Sequence, residues 1–405
     1  MTVIRGHPLL KAFGRAHRVL SPNALRVLPP YAFRVARNHD VGATKKRVFV
    51  KEFSFTGMVT RRRVSMAAMG LGMPCIRPAR ARRTLTFAVP SGVFQELHEP
   101  ILIEAFQRAY PDISIFYYAV PSSTQALALL RRQREAQAVD VALLDVVAAR
   151  LATEEGLVES LTLAGLPVLS ELAPGAVFPG VGGPALYTEP LVMLFDPARV
   201  RPGPLTWKRW WNGRGPASIA LPAPPDEIGL AFAVVAGRLF GGGSYGKLVA
   251  DGMVAIEQLA PKVVSWDPSP DVYRYVSDGK AAFGAGWNLA AQYHANRLPG
   301  RLGVAFPEDG TLSRVTTVNL VRGTRQPESA RQFIAWLLGA EAQKLMVERM
   351  FLGPVNMRAR YLEAALLRTA NTPARAARAM PVDWVSVGAL REDIAKRWSR
   401  LTRGG

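Results

Sequence analysis

A chain of 405 residues, 49% of them hydrophobic, is long enough to bury more than one core, and its formal charge of +20 at pH 7 would ordinarily indicate nucleic acid or an anionic membrane as partner. The position of the charge excludes that reading. Residues 1–83 hold 18 of the 51 Lys and Arg but only two of the 31 acids, so residues 84–405 carry 33 basic against 29 acidic residues, and the excess belongs to a leader rather than to a binding surface.

The leader has its own order. Around Met58 it reads MVTRRRVSMAAMGLGMPCIRPARARR: three arginines (Arg61, Arg62, Arg63), a short apolar run, then Ala79-Arg80-Ala81. That is the layout of an export signal over 58–81, and Thr60 to Val64 resembles the twin-arginine variant. The apolar run is too short and glycine-rich to span a bilayer. Residues 1–57 show no helical or alternating period and are expected to be an over-long start or a disordered extension. The single cysteine, Cys75, lies inside the apolar run behind Gly72-Met73-Pro74, a poor lipidation context, so no lipid anchor is expected. Without it the exported chain has no disulfide, thiolate metal site or cysteine nucleophile.

The first folded stretch, 84–120, reads as a strand over 84–89, a turn over 90–92, an amphipathic helix with Ile101, Leu102, Ala105, Phe106 and Ala109 on one face, and a strand over 113–120. Strands joined by a helix run parallel and are covered on both faces, which predicts an α/β fold. A helix capped by Ser122, Ser123 or Thr124 leads into a third strand ending at Asp145. A short helix closes on Gly156. Residues 185–200 form a long apolar strand that is expected to be interrupted at Tyr187-Thr188-Glu189-Pro190. Further on come a strand over 217–221, helices over about 228–240 and 245–259, a strand ending at Trp287 and Asn288, a short helix, two helices broken near Gly339, and a last amphipathic helix, LREDIAKRWSRL.

These segments carry a resemblance. "YPDI" before the second strand, "DVALLD" ending the third, "EGL", "TWKRWW", "DGKAAFGAGWN", "FPEDGT", "PESARQFIAWLLGAEAQ" and "GPVN", in this order over nearly all of 84–400, resemble the periplasmic solute-binding proteins of ABC importers, in the polyamine-binding and ferric-type branch. The resemblance implies a type II periplasmic binding protein fold: two lobes, each a mixed sheet flanked by helices, with a two-strand hinge and a central cleft. Lobe one would take 84–188 and 290–365, lobe two 192–286 and 366–405, with crossings near 189–192 and 286–289. It implies a periplasmic, monomeric receptor that hands a small solute to an ABC permease and its ATPase. No cofactor, metal or nucleic acid enters that picture.

Ligands of open α/β sheets sit at the carboxyl ends of strands. The candidate ligand contacts are therefore Ser91, Phe94, Asp145, Tyr187, Thr188, Glu189, Asp226, Glu227, Trp287, Asn288, Arg314 and Thr316. Several have plainer explanations. Asp226 and Glu227 precede a helix, where capping acids are expected anyway. Trp287 and Asn288 match the family's "WN" and serve as a cleft aromatic and positioning amide or as hinge packing. Tyr117 and Tyr118 belong to core and edge, Trp207, Trp210 and Trp211 pack lobe two, and His98 and His294 are expected on helix surfaces. The resemblance would also place aromatic walls near Pro90, Val147 and Arg314 and an acid near Thr316, and this chain has none there. A polyamine would be poorly held without them. The ligand is then smaller, zwitterionic or anionic (amino-acid-like or a phosphonate), with Arg314 offering a fork to a carboxylate.

The alternative is a periplasmic sensor of the same fold and, behind it, a periplasmic enzyme. GGGSYGK at 241–247 has phosphate-loop spacing, but Leu248 replaces the magnesium-binding hydroxyl and a helix precedes it. A hydrolase would need an activated nucleophile beside a base, and no clustered histidines are present.

Overall fold

The computed structural model describes residues 82–200, 203–213 and 218–402. The export signal at 58–81, Cys75 and residues 1–57 lie outside them.

The first lobe opens with the expected unit. Strand β1 (Arg83–Pro90) pairs in parallel with β2 (Ile113–Val120) and with β3 (Val141–Asp145). Between β1 and β2 the chain is helical throughout: α1 (Val93–His98), a π-helical turn (Glu99–Ile103) and α2 (Glu104–Ala109). Its buried stripe is Phe94, His98, Leu102 and Phe106, spaced four apart on one face. Helix α3 (Ser123–Arg132) starts on Ser122, whose hydroxyl accepts the Gln125 N–H at 3.2 Å, and α4 (Val146–Glu154) follows β3. Alternation along β1 sends Phe87 and Val89 to one core and Ala88 to another on the opposite sheet face, as a doubly covered sheet requires.

Strand β4 (Ala185–Phe195) joins the lobes. It is not interrupted at 187–190, where a register shift after Ala185 absorbs the irregularity. Its first half pairs with β9 (Ser313–Leu320) and its second half with β7 (Phe283–Trp287) and β8 (Gly303–Ala305). The ladders thus run as one path, β2-β1-β3-β9-β4-β7-β5-β6, with β5 (Ile219–Ala220) and β6 (Val263–Ser265) at the far edge. The second lobe adds α5 (Arg209–Asn212), α6 (Glu227–Phe240), α7 (Tyr245–Leu259), α8 (Val272–Ser277) and α9 (Asn288–Arg297). Trp207 and Trp210 lie in its core with no exposed surface.

The return to lobe one differs from the expectation of 286–289. There β7 ends and α9 begins at the seam, with Leu289 in the first core and Ala291 in the second, but the chain stays in lobe two until 311–313. At that point the Thr311 hydroxyl donates to Leu191 O at 2.7 Å and the Leu191 N–H to Leu312 O at 3.0 Å. Helices α10 (Pro327–Leu338) and α11 (Ala340–Met350) then complete lobe one.

The remaining chain crosses once more. After α12 (Glu363–Leu366) and α13 (Pro373–Ala376) come α14 (Trp384–Ala389) and α15 (Arg391–Thr402). Ile394 and Trp398 of α15 are buried in the second core, whereas Val385 of α14 packs on the first lobe and Gly388 lies against Val147.

Helix α6 is apolar all round because all of it from Ile228 to Gly237 is buried, and it packs on α7 through glycines. A Cβ at Gly252 would stand 2.3 Å from Ala233 O. The neighbour is backbone and cannot rotate away, so Gly252→Ala should cost about 2 to 3 kcal/mol in denaturant unfolding. Gly246, exposed in the first turn of the same α7, has nothing within 4 Å of such a Cβ. Gly246→Ala should instead leave stability unchanged or raise it by up to about 1 kcal/mol. Equal effects at the two positions would contradict the packing argument.

Candidate functional site

Glu189 and Arg314 face each other across the β4/β9 ladder where both strands pass between the lobes. The Glu189 side chain is 2% exposed. Its Oε2 accepts from Arg314 Nε at 3.0 Å and Nη2 at 2.7 Å, and its Oε1 accepts the Leu289 N–H at 2.8 Å, at the start of α9. From the other lobe Glu227, in the first turn of α6, accepts Arg314 Nη1 at 3.0 Å. The guanidinium carbon stands 4.5 Å from the centre of the Trp287 ring. Burial opposes the Arg314 charge, but Glu189 and Glu227 outweigh it and hold the pKa above the ordinary arginine value. Behind this group Tyr187 is buried, shares a hydrogen bond with Thr316, and stacks on Phe94 at 5.6 Å between ring centres.

Two further acids flank the cluster as helix caps. Asp145 Oδ1 accepts the Ala148 N–H at 2.8 Å at the head of α4, and Asp226 Oδ1 accepts the Ile228 N–H at 2.7 Å at the head of α6. Burial pushes the Asp145 carboxyl above the usual range against the pull of the Ala148 N–H; Glu227 raises it further, and Ser123 and Arg391 lower it. Among the described residues no three His, Cys, Asp or Glu side chains are grouped to hold a metal ion.

The structure therefore gathers Tyr187, Glu189, Glu227, Trp287, Arg314 and Thr316 into one contiguous group, with Asp145 and Asp226 beside it. Others stand differently. Ser91 is exposed on the turn before α1, and Phe94 is packed behind the cleft. Thr188 exchanges backbone hydrogen bonds with Gly353. Asn288 has no exposed surface, and its amide donates to Phe351 O at 2.9 Å and Arg368 O at 2.8 Å while its oxygen accepts from Gln292. It has no group left to position a solute, so of its two readings the packing one describes this geometry. The fork read for Arg314 is likewise engaged: three of its N–H groups already meet carboxylates and its face covers Trp287.

Asp309 accepts the Trp207 and Lys208 N–H groups at 2.9 and 3.0 Å, so the turn after Phe306 anchors the tryptophan segment. His98 is a correction: it is wholly buried between Phe87, Phe94 and Tyr117, not on a helix surface. His294 is partly buried and stacks on Tyr273 at 5.3 Å. A residue the sequence reading missed is Arg391. It reaches from α15 to the first lobe, where it donates to the Thr124 hydroxyl at 3.3 Å. Nothing local in LREDIAKRWSRL announces this, because the contact spans 267 positions of chain.

A seam of charged side chains between two α/β lobes is a place to trap a small solute by lobe closure. Comparison with known proteins agrees. The family described as bacterial extracellular solute-binding protein matches residues 85–350. The gamma-aminobutyric acid-binding protein of Pseudomonas aeruginosa is 26% identical over 258 residues, 61% of this chain and 71% of that protein. In fold the chain is similar to an ABC transporter substrate-binding protein from Bradyrhizobium japonicum, with a TM-score of 0.68 and 18% identity over 79% of this chain and 99% of that one. An ABC transporter structure from Clostridium perfringens gives a TM-score of 0.63 and 20% identity over 78% and 99%. The chain belongs to the bacterial extracellular solute-binding proteins.

Proposed function

We propose that the chain captures, in the periplasm and as a monomer, a small solute bearing an amino group. One observation carries this reading: the seam sets four carboxylates, Asp145, Glu189, Asp226 and Glu227, against two guanidinium groups, Arg314 and Arg391. A partly buried site with that imbalance lacks a cation, and an ammonium entering beside Asp145 and Glu227 would supply it. The name of the Pseudomonas relative, a gamma-aminobutyric acid-binding protein, supports the same class. A long polyamine is a poorer occupant, since Arg314 already covers the face of Trp287 that would have boxed its methylenes.

The test is a melting-point screen with 4-aminobutyrate, putrescine, phosphonates and dicarboxylates. A ligand at a hundred times its dissociation constant stabilises by about 2.7 kcal/mol, so an amine should raise the melting point measurably. Glu227→Gln and Asp145→Asn should each weaken that amine by about tenfold, the size of a charge-assisted hydrogen bond. A response confined to the anions would overturn the reading.

A further inference from the structure

We propose that Arg391, carried on the C-terminal tail, is the cation that receives the negatively charged end of a zwitterionic solute. This rests on the amine reading above and adds the other end of the ligand. Arg314 is engaged by Glu189 and Glu227, so an incoming carboxylate would have to compete with two it already holds. Arg391 is different. Its hydrogen bond is the long one to the neutral Thr124 hydroxyl, and among the described residues it makes no ion pair. A partly buried guanidinium left this way keeps donors free for a planar anion.

Its mounting is rigid. Ile394 and Trp398, one and two turns further along α15, are buried in the second core, and Trp398 meets Trp266 edge-on at 5.6 Å. On the other side of Arg391, a Cβ at Gly388 would lie 3.0 Å from Val147 Cγ1, so the tail is seated tightly on the head of α4. Arg391 is thus held from lobe two against the rim of lobe one that carries Thr124 and Asp145. Asp145 feels both Glu227 and Arg391, which puts it between an acidic end and a basic end of the same rim. A solute with its amine beside Asp145 and Glu227 would point its carboxylate toward Arg391. The placement also runs against the fold's own interest: a cation in the first turn of α15 opposes the helix dipole, and Glu392 and Asp393 beside it are the acids that position favours.

The experiment compares wild type, Arg391→Gln and Arg391→Lys by calorimetric titration with 4-aminobutyrate and with putrescine, in which a second ammonium replaces the carboxylate. Arg391→Gln should weaken 4-aminobutyrate by about tenfold or more while leaving putrescine unchanged or tighter, and Arg391→Lys should fall between. Without ligand, Arg391→Gln should melt with wild type, since it loses one neutral hydrogen bond. Retention of 4-aminobutyrate affinity within about twofold, equal loss of both ligands, or a markedly lower unliganded melting point would each overturn the assignment of Arg391. If wild type itself binds neither probe, it is the amine reading that fails, and this inference with it.

Discussion

Arg314→Ala should unfold with a free energy about 3 to 4 kcal/mol below wild type. Most of the loss comes from the partner left behind. Glu189 is 2% exposed, and Arg314 supplies both hydrogen bonds to its Oε2, so the variant strands a carboxylate that water reaches poorly. Glu227 contributes less to the loss, because its side chain is 35% exposed and can turn to solvent. Two features separate this account from mere loss of packing over Trp287. Adding Glu189→Gln to the Arg314→Ala background should recover much of the stability, since a neutral amide keeps the Leu289 N–H bond and buries no charge. The single variant should also regain stability on mild acidification, because a buried unpaired carboxyl has a raised folded pKa and its penalty disappears as it protonates. Denaturant unfolding checks both. A loss below about 1 kcal/mol, or no recovery in the double variant, would show that Glu189 finds another partner.

How much of this was legible in the sequence depends on the range of the interaction. The β1–α1–β2 unit follows from periodicity within forty residues, and the caps at Ser122 and Asp226 follow from residue type beside an apolar run. Glu189 and Arg314 could each be nominated as residues at strand ends. That one fills the other could not, because it depends on the register of β4 against β9, strands set together across 125 positions of chain. The second crossing was misplaced for the same reason. FPEDGT reads as a turn in isolation, and only the bonds from Thr311 and Leu312 to Leu191 make the next residues a hinge. The tail is the extreme case: α15 is plainly amphipathic, but nothing in twelve residues says which lobe receives it. His98 was a different failure, since its signal was present. It continues the stripe Phe94, Leu102, Phe106 at intervals of four, and reading it as a polar surface residue gave residue type more weight than period.

That burial leads to the second large effect. Both ring nitrogens of His98 lack a hydrogen-bond partner, as does the nearby Tyr117 hydroxyl, and the rings of Phe94 and Phe87 lie 4.9 and 5.5 Å away between centres. Burial lowers the imidazole pKa from 6.5 to about 3. A base depressed in the folded state is neutral there while the unfolded chain still takes up a proton. Its contribution is therefore intact above pH 6.5 and is lost as the pH falls toward 3, at up to about 1.4 kcal/mol per pH unit. Asp145, raised by its burial, works in the opposite direction, so the wild-type curve alone would mix the two. The difference between wild type and His98→Phe isolates the imidazole. The variant should gain about 2 to 3 kcal/mol on wild type between pH 7 and pH 4.5, whatever its stability at neutral pH, and His98→Leu should show the same slope with a different offset. Parallel curves for wild type and both variants would mean that His98 is reached by water or by a partner when it charges.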